Sequence, residues 1–156
     1  MGLLVHVGTL WLAATMTLDP LGTAIFLRNE REITRTFGPC DRLIRDQPTL
    51  RCRFKLRGRA SETVFAFDEL GHVHTVVIAF APYPRFAEAQ PLLKAVVGTL
   101  SGQFGPPVVD KAEDSGTWNW AGERGKAKLV LAKAEDAVWI VTVRLEEGSI
   151  VERLMR

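Results

Sequence analysis

The tripeptide Phe-Gly-Pro occurs twice in this chain, at residues 37–39 and 104–106, and this repetition constrains the fold more than any other feature. Each copy closes a segment with helical periodicity, because glycine followed by proline stops a helix. Each copy is also followed by three segments of strand character. The chain therefore has the pattern of a helix followed by three strands, repeated once.

Further positions correspond between the two halves. The Phe-Gly-Pro copies lie 67 residues apart, Cys52 matches Trp118 at an offset of 66, and Val76 matches Trp139 at 63. The offset shrinks only where loops lie, as expected if one unit was duplicated and its turns shortened. We predict an α+β fold: a tandem αβββ repeat in which one antiparallel sheet carries both helices on one face. The predicted units, residues 21–83 and 84–156, form one compact domain.

Each half offers one helix. Asn29 is a suitable N-cap and Glu32 stands three residues later, as in a capping box. This first helix ends at Phe37. The second helix is predicted between Pro91 and Phe104, where leucines and valines recur at helical spacing. Besides the alternating segment described next, strands are predicted near residues 64–67, 72–80, 117–121, 126–132 and 137–145.

Residues 50–59 alternate strictly between apolar and cationic side chains, which predicts one half-buried strand. The net charge of the chain is only +2, yet residues 28–59 carry +6 and the remainder −4. A row of cations on one face is self-repelling, so an anionic partner such as a lipid headgroup or an acidic protein would stabilise it. The alternative, which the pattern favours, is a solvated face or a charged edge strand. The cations of this row are Arg51, Arg53, Lys55, Arg57 and Arg59.

The two cysteines, Cys40 and Cys52, suit a disulfide that ties the end of the first helix to the first strand. Such a bond would stabilise the fold by about 3 kcal/mol on the chain-entropy model. The alternative is a pair of buried thiols in a reducing compartment. We favour the disulfide, which agrees with export.

Residues 1–20 form an apolar amino-terminal segment. The run from 3 to 18 has no formal charge and is short for a membrane span, which needs about 20 residues. It suits the apolar part of an export signal, although no lysine or arginine precedes it. The alternative is a buried element of the mature fold. An exported chain would function in the periplasm or outside the cell.

The sequence contains no pattern of an enzyme. None of its four serines lies in a nucleophile elbow, and no glycine-rich phosphate loop follows a strand. His72 and His74 share a strand face but lack an evident third metal ligand. We therefore predict no catalytic residue, no cofactor and no metal. Nucleic acid is disfavoured as a partner because no exposed aromatic residues clearly alternate with the cations, and the oligomeric state stays open.

Three tryptophans lie on predicted strands of the second half. If they face the helices they belong to the core, which is the favoured interpretation. If they face away they would form a binding hot spot. They are Trp118, Trp120 and Trp139.

The capped helix from Asn29 through Glu32 and Ile33 to Phe37-Gly38-Pro39 resembles the helix signature of small bacterial envelope domains of the SmpA/OmlA kind. The tandem arrangement is similar to that of the secreted beta-lactamase inhibitor proteins. Pro39 directly follows Gly38 here, where the envelope family usually spaces them, and no family binding residue carries over. The resemblance implies a non-catalytic envelope or secreted module that binds a protein or an envelope component through its sheet face.

Overall fold

One antiparallel sheet of eight strands dominates the protein. The computed structural model describes residues 18–43 and 47–148. The strands lie in the order β1-β2-β3-β4-β8-β7-β6-β5, so the two halves of the chain meet where β4 pairs with β8. The strands are β1 (Cys40–Leu43), β2 (Thr49–Leu56), β3 (Arg59–Phe67), β4 (Val73–Phe80), β5 (Val108–Ala112), β6 (Ser115–Gly122), β7 (Gly125–Lys133) and β8 (Trp139–Glu147). The α-helices are α1 (Glu30–Phe37) and α2 (Phe86–Phe104), and a short 3-10 helix covers Thr23–Leu27.

The predicted α+β fold built from αβββ units is wrong. The fold is dominated by its sheet, and each half contributes four strands, because β1 follows α1 and β5 follows α2. These two strands have only four and five residues and form the two edges of the sheet. An edge strand of this length has no alternating buried face, so it leaves no periodic apolar signal in the sequence.

The alternating segment 50–59 is also two strands rather than one. Arg57 and Gly58 have φ values of 52° and 80° and form the turn between β2 and β3. Two consecutive residues with positive φ are typical of a type I′ turn, whose twist matches that of the flanking strands. The chain therefore reverses at Arg57.

The hydrophobic core lies between the helices and one face of the sheet. On the first half, the ring of Phe37 from α1 stacks on Phe54 at 4.8 Å and on Phe65 at 5.4 Å between centroids. On the second half, α2 buries Val96 and Leu100 and packs on β6, β7 and β8. Because α1 and α2 pack on the same face, the opposite face of the sheet carries no helix from the part of the chain that the structure describes.

The chain before α1 is held against α2. Gln103 of α2 accepts a hydrogen bond from the backbone N–H of Thr23 at 2.8 Å and donates one to the carbonyl of Leu21 at 2.6 Å. Ile25 and Phe26 are buried in the core. Residues 21–26 thus belong to the packed part of the protein, while the predicted export signal lies almost entirely within residues 1–17, outside the described residues.

Cys40 and Cys52 form a disulfide, as predicted. They face each other across the β1–β2 pair, so the bond ties the edge strand to the sheet as well as to the end of α1. A disulfide indicates a non-cytoplasmic or otherwise oxidising compartment. Among the described residues, no helix has both the length and the apolar character needed to cross a membrane.

Candidate functional site

The surface opposite the helices, which we call the helix-free face, is formed by every second residue of the strands. The registers place Arg51, Val64, Val77, Arg144 and Lys128 in one row across β2, β3, β4, β8 and β7. A strand alternates its side chains between the two faces, so the residues two positions along form the next row. That row consists of Arg53, Glu62, Ala79, Thr142 and Val130.

The apolar centre of the helix-free face is small: it consists of Val64, Val77 and Ala79 on β3 and β4, and charged and polar residues of β3 and β8 lie directly beside it. Val64 is paired with Val77 across β3 and β4, and both side chains are half-buried with no element above them among the described residues. Ala79 is exposed and Val130 is half-buried. These side chains are small or β-branched, so the centre has little relief. An apolar centre of this kind is common in the core of protein–protein interfaces.

Two of the predicted cations lie on one flank of this face, and acidic residues neutralise them. Arg51 lies 3.4 Å from Asp41 of β1 and 3.5 Å from Glu62 of β3, measured between guanidinium nitrogen and carboxylate oxygen. Arg53 lies 3.6 Å and 3.8 Å from the same two carboxylates. The expected repulsion along β2 is therefore relieved within the protein. The sequence analysis missed Asp41 because it did not predict the edge strand β1.

The remaining cations of the face include three lysines without an ion pair among the described residues. Lys55 lies at the end of β2, and Lys126 and Lys128 lie on β7, on the far side of the apolar centre. Arg144 of β8 pairs with Glu146 at 2.7 Å. The helix-free face thus has an apolar centre between two flanks, and each flank carries at least one lysine that has no ion pair within residues 18–43 and 47–148.

The structure does not place Arg57 and Arg59 with the other three predicted residues. Arg57 turns toward the helix side, where its guanidinium lies 2.6 Å from Asp19 and 3.5 Å from the Thr99 hydroxyl of α2. Arg59 lies over the ring of Tyr83, 4.0 Å from its centroid. It also donates hydrogen bonds to the carbonyls of Ala81 and Pro82. The prediction of five cations on one face is wrong, because the turn at Arg57 interrupts the alternation.

Two shallow cavities mark the flanks of the helix-free face. The first has a volume of about 540 Å³ and is bordered by Arg53, Lys55 and Ala79. The second has a volume of about 440 Å³ and is bordered by Lys128 and Arg144. Each cavity also has one carboxylate in its lining, Glu62 in the first and Glu146 in the second, so cations and an acid border both.

The three tryptophans lie on the helix side of the sheet. Trp120 is 2% exposed, and its indole N–H donates to the hydroxyl of Ser101 at 3.2 Å, so it belongs to the core as predicted. Trp118 and Trp139 are only partly buried and border a cavity of about 390 Å³ beside the first turns of α2. The sequence analysis missed this cavity, since no spacing reveals that Phe86 meets Trp139 at 5.1 Å.

The side chain of His74 makes two polar contacts. The Nδ1 atom of His74 lies 2.6 Å from the hydroxyl of Thr75, and its Nε2 atom lies 3.3 Å from the side-chain oxygen of Gln47. Within residues 18–43 and 47–148, no three His, Cys, Asp or Glu side chains form a group that could hold a metal ion.

The comparisons with known proteins are sparse. No protein-family model matches the chain, and no curated protein matches it. Among solved structures, a DUF4309 family protein (YjgB) from Bacillus subtilis is similar at 14% sequence identity and a TM-score of 0.45, over 81% of this chain and 83% of that chain. This likeness is too distant to carry an argument about function. None of these comparisons shows a relationship to the SmpA/OmlA domains or the beta-lactamase inhibitor proteins.

Proposed function

We propose that the protein is a non-catalytic interaction module that binds a folded partner protein on its helix-free face, in the periplasm or outside the cell. The observation that carries the proposal is the arrangement of this face. Val64, Val77 and Ala79 form an apolar centre that no described element covers, and charged side chains surround it. An apolar centre with a polar rim is the usual anatomy of a protein interface.

The size of the face is adequate for a stable complex. Eight strands at about 4.8 Å spacing, with about eight residues in each long strand, give a surface of roughly 1,000 Å². A standard interface removes about 800 Å² from each partner. The face can therefore bury a complete interface without help from the helices.

The charges indicate what the partner presents. The carboxylates of Asp41 and Glu62 compensate Arg51 and Arg53, whereas Lys55 on one flank and the β7 lysines on the other have no ion pair among the described residues. A partner with an apolar centre and carboxylates on both flanks would be complementary. Rim charges of this kind affect mainly the association rate and its salt dependence.

The disulfide supports the proposed compartment. The Cys40–Cys52 bond requires an oxidising environment. A periplasmic or secreted location satisfies this requirement and agrees with the apolar amino-terminal segment of the sequence. The envelope component or protein that binds would be a resident of the same compartment.

The alternative function is the binding of anionic lipid or another polyanion through the basic strand. Its support is weaker, because only Arg51, Arg53 and Lys55 of the five cations share the face. Two of these three are already compensated by acids. A flat face with a valine centre also offers no insertion into a headgroup layer.

Site-specific crosslinking tests the proposal. A photoreactive phenylalanine analogue placed at position 79, in the helix-free face, should give a discrete adduct in envelope and culture fractions of the native host. The matched control places the same analogue at position 95, another exposed alanine, which lies on α2. The substitution Ala79→Arg should abolish complex formation, and Ala95→Arg should leave it unchanged.

Two results would overturn the proposal. Equal adducts at positions 79 and 95, or complex formation that survives Ala79→Arg, would exclude the helix-free face. Salt-sensitive binding to phosphatidylglycerol vesicles would support the lipid alternative instead, if it is lost after the combined changes Arg51→Ser, Arg53→Ser and Lys55→Ser.

A further inference from the structure

The edge strand β5 has an open outer side. All five of its residues are exposed, including Val108 at 74% and Val109 at 45%. It pairs with β6 on its inner side, and no described strand pairs with its outer side. Natural proteins usually protect such an edge with charge, proline or a covering segment. Both edge strands carry an acidic and a basic residue, but β1 is also joined to its neighbour by the disulfide, whereas β5 begins with two exposed valines.

The aromatic cavity on the helix side reaches the same edge. Its lining includes three consecutive residues at the end of β5 and the following turn, from Lys111 to Glu113, together with Trp118, Trp139 and Phe86. Its volume is about 390 Å³, at the lower end of the range for ligand pockets. A side chain that projects on the helix side from a strand next to β5 would therefore lie at the mouth of this cavity.

We propose that β5 accepts an extended segment of another protein as a ninth strand, and that one aromatic side chain of this segment occupies the cavity formed by Phe86, Trp118 and Trp139. A strand added to a sheet edge gains affinity from main-chain hydrogen bonds and specificity from pockets for alternate side chains. Here the open edge of β5 supplies the main-chain hydrogen bonds, and the cavity supplies the pocket for a side chain. This site is separate from the helix-free face and does not depend on the function proposed for it.

A polypeptide from another protein fits this edge better than a second copy of the chain. If β5 paired with β5 of a second copy around a two-fold axis at its central residue, Asp110 would lie opposite Asp110, and like charges directly opposite each other are destabilising. A small molecule would fill the cavity but would leave the backbone groups of β5 unpaired.

The register predicts the side chains of the added strand. In β5, Val109 and Lys111 point toward the helix side, because their partners Trp118 and Gly116 belong to that face, while Asp110 points the other way. An antiparallel segment should thus present an aromatic residue near Glu113, an acidic residue opposite Lys111, and a basic residue opposite Asp110. The acetylated and amidated hexapeptide Phe-Thr-Glu-Lys-Val-Thr meets these requirements and serves as the probe.

Binding of this probe can be measured on the intact chain. We expect the tryptophan fluorescence to change on titration, since Trp118 and Trp139 line the cavity, and the amide protons of Val109 and Lys111 to exchange more slowly. The peptide can be N-methylated at alternate residues in two versions, which differ in the set of amides that is blocked. The version whose blocked amides face β5 cannot donate the main-chain hydrogen bonds, and it should bind at least about tenfold more weakly than the parent peptide.

Two substitutions test the register and the cavity. Lys111→Glu should lower the affinity for the probe about three- to fivefold, and a probe with lysine in place of its glutamate should restore this affinity. Phe86→Ala removes one wall of the cavity and should lower the affinity for the probe about tenfold. Leu70→Ala serves as the matched control, because Leu70 is 75% exposed in the distant β3–β4 turn and should not affect binding.

Several outcomes would overturn the proposal. It is wrong if the probe at 5 mM neither alters the tryptophan fluorescence nor slows exchange in β5. It is equally wrong if the version whose blocked amides face β5 binds as well as the parent peptide, since strand addition would then contribute nothing. Slow exchange of the Val109 and Lys111 amides without any peptide would show that the edge is already occupied. Sedimentation would then distinguish a second copy from a segment of the same chain.

Discussion

Cys40 lies directly opposite Cys52 in the β1–β2 pair, and a disulfide joins the two residues. Cys52 is fully buried, whereas Cys40 is only partly buried and belongs to a four-residue edge strand. The bond therefore connects a short strand, which has few buried side chains of its own, to the centre of the first half. Because Asp41 comes with this strand, the disulfide also holds one of the two carboxylates that neutralise Arg51 and Arg53 on the helix-free face.

The first prediction concerns this bond. Replacing both residues by alanine (Cys40→Ala with Cys52→Ala) should lower the free energy of unfolding by about 3 kcal/mol, because the unfolded chain regains the freedom of the closed loop. Urea unfolding of the variant and the parent, both without reductant, measures the difference. Hydrogen exchange should show that β1 loses protection first. Equal unfolding midpoints would contradict the stabilising role of the bond.

The second prediction uses two glycines in different environments. Gly98 lies in α2, where an added Cβ would meet no other atom within 4 Å, so Gly98→Ala should stabilise the protein by about 1 kcal/mol through helix propensity. Gly125 has a φ of 145°, and an added Cβ would overlap the carbonyl oxygen of Glu146. Gly125→Ala should therefore destabilise β7 and β8. Thermal unfolding of both variants checks the opposite signs.

The third prediction concerns pH. Tyr83 is the only tyrosine of the sequence, and burial raises its pKa above the ordinary value of 10.0, while the guanidinium of Arg59 over its ring acts in the opposite direction. The unfolded chain therefore loses this proton at a lower pH than the folded protein does. The contribution of Tyr83 to the free energy of unfolding should therefore be constant below pH 10. It should decrease as the pH rises through the pKa that Tyr83 has in the folded protein.

Absorbance of tyrosinate near 295 nm, measured during a pH titration, follows this residue alone. A titration midpoint at or below that of free tyrosine would contradict the burial effect. The variant Tyr83→Phe should lose the corresponding part of the pH dependence of unfolding.

The fourth prediction concerns the start of α1. The side chain of Asn29 accepts a hydrogen bond from the backbone N–H of Glu32 at 2.9 Å. Asn29→Ala leaves that donor without its cap and should cost about 1 kcal/mol. Asn29→Ser should retain most of the stability, since serine caps a helix in the same way. A smaller loss for alanine than for serine, measured by urea unfolding, would show that the cap contributes nothing.

The helices illustrate what a local pattern can predict. Asn29 and Glu32 mark the beginning of α1 and Phe37 marks its end, and all three positions are correct because capping and termination depend on neighbours within a few residues. The start of α2 was placed too late. The helix begins at Phe86, five residues before Pro91, because Pro91 is tolerated within it rather than marking its first turn.

The candidate site was predicted only in part. Arg51, Arg53 and Lys55 share a face as expected, since strict alternation within one strand decides this. Arg57 and Arg59 do not, because the positive φ values of Arg57 and Gly58 reverse the chain. No pattern within β2 could show that Asp41 and Glu62 approach its arginines, since these carboxylates come from neighbouring strands.

By itself the sequence determined both ends of α1, the last residue of α2, the approximate positions of the six longer strands, the disulfide and the tryptophan in the core, because each depends on short-range periodicity or on side-chain chemistry. The tertiary structure alone decided that two further strands complete the edges, which cations remain unpaired, and that Phe86 closes a cavity with Trp118 and Trp139. These features arise from contacts between residues far apart in the chain, where the pairing of strands, and not the local pattern, determines which side chains meet.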